Sequence, residues 1–149
     1  MVNVKKGDTF FIEAGTVHAI GKGAMIAEIQ QNSNCTYRVY DYGRVGADGK
    51  SRKLHIKKAI DVSKTVPPKY DIKPMGETKY VDKNEVQLIT KCDLFSVNRY
   101  KCTNRLTLNV SENSFMHILV IDGKGTVDGR AAKKGDSFLI PASYGDVII

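Results

Sequence analysis

A ten-residue segment occurs twice in this chain, and that repeat restricts the fold more than any other feature. Lys5-Lys6-Gly7-Asp8-Thr9-Phe10-Phe11-Ile12-Glu13-Ala14 returns as Lys133-Lys134-Gly135-Asp136-Ser137-Phe138-Leu139-Ile140-Pro141-Ala142, 128 residues later and without a gap. Self-similarity at a fixed offset marks a repeated structural unit. In both copies a Lys-Lys-Gly-Asp turn leads into a short aromatic and aliphatic run, the pattern of a turn followed by a strand. The chain is therefore expected to open inside one unit and to close at the matching point of the next, as a piece of a larger two-unit protein.

Strand signals dominate the remainder. Asp8–Ile12, Ala24–Gln30 and Thr36–Tyr42 are predicted strands, with Gly21 and Gly23 and the Asp48-Gly49 pair as turn formers. Leu54–Val62 is the one predicted helix. Residues 63–84 hold Pro67, Pro68, Pro74 and Gly76 among many lysines, with little periodic apolar content. They read as a connector. Strands resume over Glu85–Asp93, Leu94–Lys101, Arg105–Val110, Ser114–Ile121, Thr126–Val127 and Ser137–Ile140. Many short strands with glycine-rich turns suggest an all-β sandwich or small barrel. The expected organisation is a first unit over 1–62, a linker over 63–84 and a second unit over 85–149. After Pro141 only Tyr144–Ile149 remain to close that second barrel. Its end is expected to be short of a strand, with open edges that a second copy could pair.

At 149 residues, one domain or two small ones fit. With 42% hydrophobic residues the chain can build a core, and no apolar run reaches the ~20 residues of a membrane-spanning helix. The Met1–Gly7 segment lacks the apolar stretch of a secretory signal, so a soluble, cytoplasmic protein is expected. Cys35, Cys92 and Cys102 are odd in number and form no CxxC pair, which argues for reduced, buried thiols. The net charge of +7 suits an anionic partner such as a phosphorylated metabolite. Its lysines are scattered and not interleaved with aromatics, so neither nucleic acid nor a membrane is an expected partner.

The first repeat continues into a more telling pattern. Gly7, Glu13-Ala14-Gly15 and His18 follow the second motif of the cupin barrels, with Glu13 where Pro is usual. A strand end there would present His18 at the mouth of a small barrel, where a neutral imidazole suits zinc or another divalent metal. The stretch His18-Ala19-Ile20-Gly21-Lys22-Gly23, then Glu28–Ser33 and Thr36-Tyr37-Arg38-Val39-Tyr40-Asp41-Tyr42, resembles the type I mannose-6-phosphate isomerases, specifically the C-terminal portion of short bacterial members. Gly43-Arg44 and Leu54–Val62 extend the resemblance, and residues 85–149 are similar to a degenerate second cupin. The resemblance implies an all-β cupin (double-stranded β-helix) fold with one short helix. It also implies a zinc-dependent isomerase interconverting mannose 6-phosphate and fructose 6-phosphate through a cis-enediolate.

Carried over position by position, the resemblance implies that His18 is a metal ligand and Arg38 the catalytic arginine. Arg stays protonated and donates in a planar fork, which suits a developing negative oxygen. The competing reading of Arg38 is a structural ion pair with Glu28 or Asp41. Tyr40 and Asp41, on the same strand, are candidate substrate-binding residues. Only 17 residues precede His18, and none is His or Cys. The other zinc ligands of the family are therefore expected from a missing N-terminal half or a second copy, since catalytic zinc needs three protein ligands and an open position. His55 is expected to cap the short helix or pack locally, and His117 to be structural. The alternative function is a non-catalytic cupin module that binds a sugar phosphate or a partner subunit.

Overall fold

The computed structural model describes residues 2–69 and 71–149. They divide into two compact units, Met1–Met75 with Thr90–Ser96, and Gly76–Ile89 with Val97–Ile149.

In the second unit, apolar residues alternate along short strands, which places one set of side chains on a common inner face. β1 (Lys79–Val81) and β2 (Asn84–Lys91) form an antiparallel hairpin in the register Lys79 to Val86, and β3 (Ser96–Lys101) joins β2. β4 (Thr107–Val110) pairs with β9 (Gly145–Ile148), β5 (Met116–Leu119) with β8 (Ser137–Ile140), and β6 (Lys124–Val127) with β7 (Arg130–Lys133), all antiparallel. The nesting is regular: the strands run in order toward the Asp128-Gly129 turn and then back. Val110, Val127, Ala132, Ile140 and Val147 form the buried core, with Met116, Ile118, Val120, Phe138 and Ile149 packed on it.

Three of these strands differ from expectation. β1 lies within the predicted connector, where Asp82 and Lys83 adopt φ of 47° and 69°. Those left-handed values build a tight hairpin turn without a glycine. β7 is Arg-Ala-Ala-Lys, a poor strand former that is held by its hairpin to β6. The residues after Pro141 supply β9, which pairs in full register with β4 and buries Val147 completely.

The first unit carries one helix, α1 (Ile56–Val62), which buries Ala59. It starts two residues later than predicted because the His55 N–H donates to the Arg38 carbonyl (2.7 Å) and holds Leu54-His55 extended. Ser63 ends the helix, its N–H and its hydroxyl both donating to the Ala59 carbonyl. Gly15 is required nearby: its φ is +85°, and a Cβ there would meet the Val62 carbonyl oxygen at 2.6 Å.

The predicted strands at 8–12, 24–30 and 36–42 are not strands here. Among the described residues this unit has a single bridge, Val45 to Ser51, and no ladder. The two copies of the repeat give the physical reason. Both make the same turn: Asp8 N–H donates to the Lys5 carbonyl and Asp136 N–H to the Lys133 carbonyl, while each aspartate accepts from its lysine N–H at 2.9 Å. Gly7 and Gly135 share a φ near 95°, at 97° and 93°. The turn is local and forms twice. The strand after it needs a neighbour, and only the second copy has one, in β5.

Candidate functional site

Arg38, Asp41 and His55 are brought together in the first unit by backbone pairing across 16 residues of loop. Arg38 and His55 exchange two hydrogen bonds: the His55 N–H donates to the Arg38 carbonyl, and the Arg38 N–H donates to His55 Nδ1 at 3.2 Å. Because Nδ1 accepts, the ring proton of neutral His55 sits on Nε2. His55 stands at the N-cap position of α1 without a side-chain cap bond, and its ring packs locally against Tyr37, with centroids 6.2 Å apart. It substitutes for a strand partner and fixes the backbone beneath the Arg38 side chain.

Asp41 accepts a bidentate pair from Arg52, with Nε at 2.7 Å and Nη2 on the other oxygen. That pairing, with help from the positive charge of Arg38 and Arg44, lowers the Asp41 pKa below the usual carboxylate range. Arg38 lies 3.9 Å from Asp41 and donates through Nη1 to the Lys53 carbonyl at a long 3.5 Å. Its side chain is 22% exposed. Asp41 thus carries two ion pairs, the close one with Arg52 and the longer one with Arg38 that the sequence reading weighed. No ion pair joins Arg38 to Glu28 among the described residues. Tyr40 is exposed and sits edge-on to Tyr42, with centroids 4.8 Å apart, and Arg44 lies over the Tyr42 ring at 5.4 Å.

His18 is exposed, and its Nδ1 lies 2.9 Å from the Thr16 carbonyl. A carbonyl only accepts, so in neutral His18 the proton sits on Nδ1 and the lone pair on Nε2. That is the tautomer a metal ligand needs. Yet no group of three His, Cys, Asp or Glu side chains is placed to hold a metal among the described residues. The residues of this chain do not by themselves fit a zinc ion. His117 bonds Ser137 Oγ across the β5–β8 pair at 2.5 Å, a structural role as expected. All three cysteines are reduced, but Cys35 and Cys102 are exposed, contrary to the buried reading. A cleft of about 430 Å³ in the second unit runs along Asp82, Lys83, Asn104 and Arg105 and includes none of the expected site residues.

Comparison with known proteins agrees with the resemblance read from the sequence. The family model "Mannose-6-phosphate isomerase, cupin domain" matches residues 84–149. The chain is 38% identical to mannose-6-phosphate isomerase ManA of Bacillus subtilis, over 97% of its own length and 46% of that protein's. By sequence and fold it is similar to part of the mannose-6-phosphate isomerases. Mannose-6-phosphate isomerase of Streptococcus mutans is 33% identical over 94% of the chain and 44% of the relative. The crystal structure of the Bacillus subtilis mannose 6-phosphate isomerase superposes with a TM-score of 0.66 at 31% identity, covering 80% of this chain and 38% of that one. The cupin architecture expected from the sequence is therefore the fold this chain shares with that structure. The chain spans about half the length of the curated relatives it matches. No helix among the described residues is long and apolar enough to cross a membrane.

Proposed function

We propose that this chain supplies part of the active site of an isomerase that interconverts mannose 6-phosphate and fructose 6-phosphate. The observation that carries the reading is the guanidinium of Arg38. The two-way His55 pairing holds its backbone, and the Asp41 carboxylate, 3.9 Å from Arg38 Nε, is hydrogen-bonded by Arg52, which supports a guanidinium with donors left for a ligand. Moving a proton between C1 and C2 of the sugar passes through a cis-enediolate, whose negative oxygen a fixed arginine stabilises as charge develops. Tyr40 would line the sugar side of the same segment. Zinc is the cofactor this chemistry calls for, as a Lewis acid on the sugar oxygens. His18 Nε2 would provide one ligand, with the others outside residues 1–149. The substrate is a small anion in keeping with the basic surface, and neither nucleic acid nor membrane enters the reading. A soluble, cytoplasmic enzyme is part of the same proposal.

The test is a coupled assay on this chain co-expressed with the part of Bacillus subtilis ManA that lies outside their match. Expected is zinc-dependent conversion of mannose 6-phosphate, falling by a factor on the order of 10² or more in Arg38→Ala. Conversion that Arg38→Ala leaves unchanged, or none from a purified 1:1 complex, overturns it. The second reading, a non-catalytic module that binds a sugar phosphate or a partner subunit, draws on the lone His18. It predicts sugar-phosphate binding by that complex without turnover.

A further inference from the structure

The cleft beside the β1–β2 turn lies within the second unit, and its walls are rich in hydrogen-bond donors. Val81, Asp82, Lys83, Asn104, Arg105 and Thr107 line a space of about 430 Å³. Small-molecule sites range over roughly 300–1,000 Å³. Two of the lining residues are cations, and among the described residues neither Lys83 nor Arg105 is in an ion pair. Lys101 of β3, by contrast, is paired with Glu85 at 2.8 Å. Asp82 is the one acid on the wall, so the balance of charge there is positive.

The backbone that carries these two cations is fixed in advance. Asn84, fully buried and next to Lys83, takes the Thr103 and Asn104 N–H groups on Oδ1, and its Nδ2 donates to the Arg105 carbonyl. The Thr103 hydroxyl donates to the Lys83 carbonyl at 2.9 Å, which ties the turn to the same loop. The Arg105 N–H donates to Asn104 Oδ1 at 2.9 Å. That bond occupies the amide oxygen of Asn104 and leaves its NH₂ as a donor. Groups held in place before a ligand arrives lose less conformational freedom when it binds.

The register of β4 adds a backbone donor. Leu106 and Ile149 exchange both N–H···O bonds, at 2.8 and 2.9 Å. The next pair, Thr107 with Ile148, is therefore a non-hydrogen-bonded one, and the Thr107 N–H points away from β9. Among the described residues no strand pairs with β4 on that side.

We propose that this cleft binds a small phosphorylated molecule, its phosphomonoester group held by Lys83, Arg105 and the Thr107 N–H and its body lying against Val81 and Asn104. Arg105 offers a planar fork that matches phosphate oxygens, and Lys83 a point charge. The Asp82 carboxylate repels the same ligand, so its removal tightens binding. None of the residues assigned to the isomerase takes part, and the site stands independently of that reading.

The test titrates the 149-residue chain, labelled with ¹⁵N, with inorganic phosphate, mannose 6-phosphate and uncharged mannose at constant ionic strength. Expected are saturable shifts of the Lys83, Arg105 and Thr107 amides with both phosphates and none with mannose, mannose 6-phosphate binding the tighter. Lys83→Asn combined with Arg105→Gln should raise the half-saturating concentration by roughly tenfold or more. Asn is chosen because it accepts the left-handed φ of 69° at this position. Unchanged hydrogen exchange in β4 and β9 separates lost binding from a lost fold. Asp82→Asn should lower the half-saturating concentration, and Arg38→Ala should leave it unaltered. No saturation up to about 10 mM of either phosphate overturns the proposal. So do shifts that mannose reproduces, that persist in the double variant, or that fall around Arg38 and vanish in Arg38→Ala. Mannose 6-phosphate binding no tighter than inorganic phosphate overturns the assigned organic ligand.

Discussion

Asn84 offers the sharpest test of how the second unit is held together. Its side chain is fully buried at the start of β2. Oδ1 accepts from the backbone N–H groups of both Thr103 and Asn104 at 2.9 Å, and Nδ2 reaches the Arg105 carbonyl at 3.4 Å. One amide thus ties β2 to the loop that delivers the chain into β4. Asn84→Ala removes the acceptor from two backbone donors. A buried donor left unsatisfied costs about 1–3 kcal/mol, and because Thr103 and Asn104 are exposed residues, water offsets part of this and the lower end applies. With the cavity left by the lost side chain, about 3 kcal/mol is expected in all. A unit of this size has a total stability of roughly 3–10 kcal/mol, so the loss is a large fraction of it. Urea unfolding followed by hydrogen exchange in β4 and β9 reads the second unit by itself. The exposed amide of Asn104 bonds only the Arg105 N–H, and Asn104→Ala should cost less than about 1 kcal/mol. If Asn84→Ala costs no more than that control, the tie is not what holds the loop.

Three further outcomes follow from the geometry. Val147→Ala, at a fully buried position of β9, should destabilise the second unit by about 2 kcal/mol in the same exchange experiment, whereas Ala19→Val at the equivalent exposed position should change nothing in the isolated chain. Asp128 accepts from the Ile148 N–H and the Tyr144 hydroxyl, and these bonds lower its pKa, the backbone bond most. A carboxylate with a depressed folded-state pKa contributes stability above its unfolded value of 3.8, and the contribution is lost as pH falls through the folded one. Acid unfolding of the second unit should accordingly be blunted in Asp128→Asn, and an unaltered acid limb would contradict this. His55→Phe should loosen the Arg38 segment, read as at least tenfold faster exchange of the Arg38 amide; His55→Asn, which keeps an acceptor, should restore part of the protection.

What the sequence discloses depends on how far away the stabilising partner lies. The Lys-Lys-Gly-Asp turn was legible because its bonds run between residues three apart, and both copies fold alike. The all-β class and most strands of the second unit were legible because their partners are within the chain, and alternation such as that of Met116–Leu119 reports a buried face directly. β7 was missed because Arg-Ala-Ala-Lys has little strand propensity. The Asp128-Gly129 turn, with φ of 49° and 74°, was the signal that could have found it. β1 had no such signal, since Asp82 and Lys83 take left-handed conformations without glycine. The candidate site divides in the same way. Arg38 and His18 could be singled out by resemblance, but the His55 clamp and the Arg52 anchor bridge 17 and 11 residues through backbone and loop geometry. No periodicity encodes such contacts. The strands expected at 8–12, 24–30 and 36–42 failed for the complementary reason: a strand's backbone donors are satisfied by its neighbour, so propensity alone specifies a candidate edge and not a sheet. Ile12, Ile26, Ile29 and Val39, on those expected strands, remain exposed. A long exposed apolar edge is a liability for an isolated chain, and here it is concentrated in the unit that also carries His18 and Arg38.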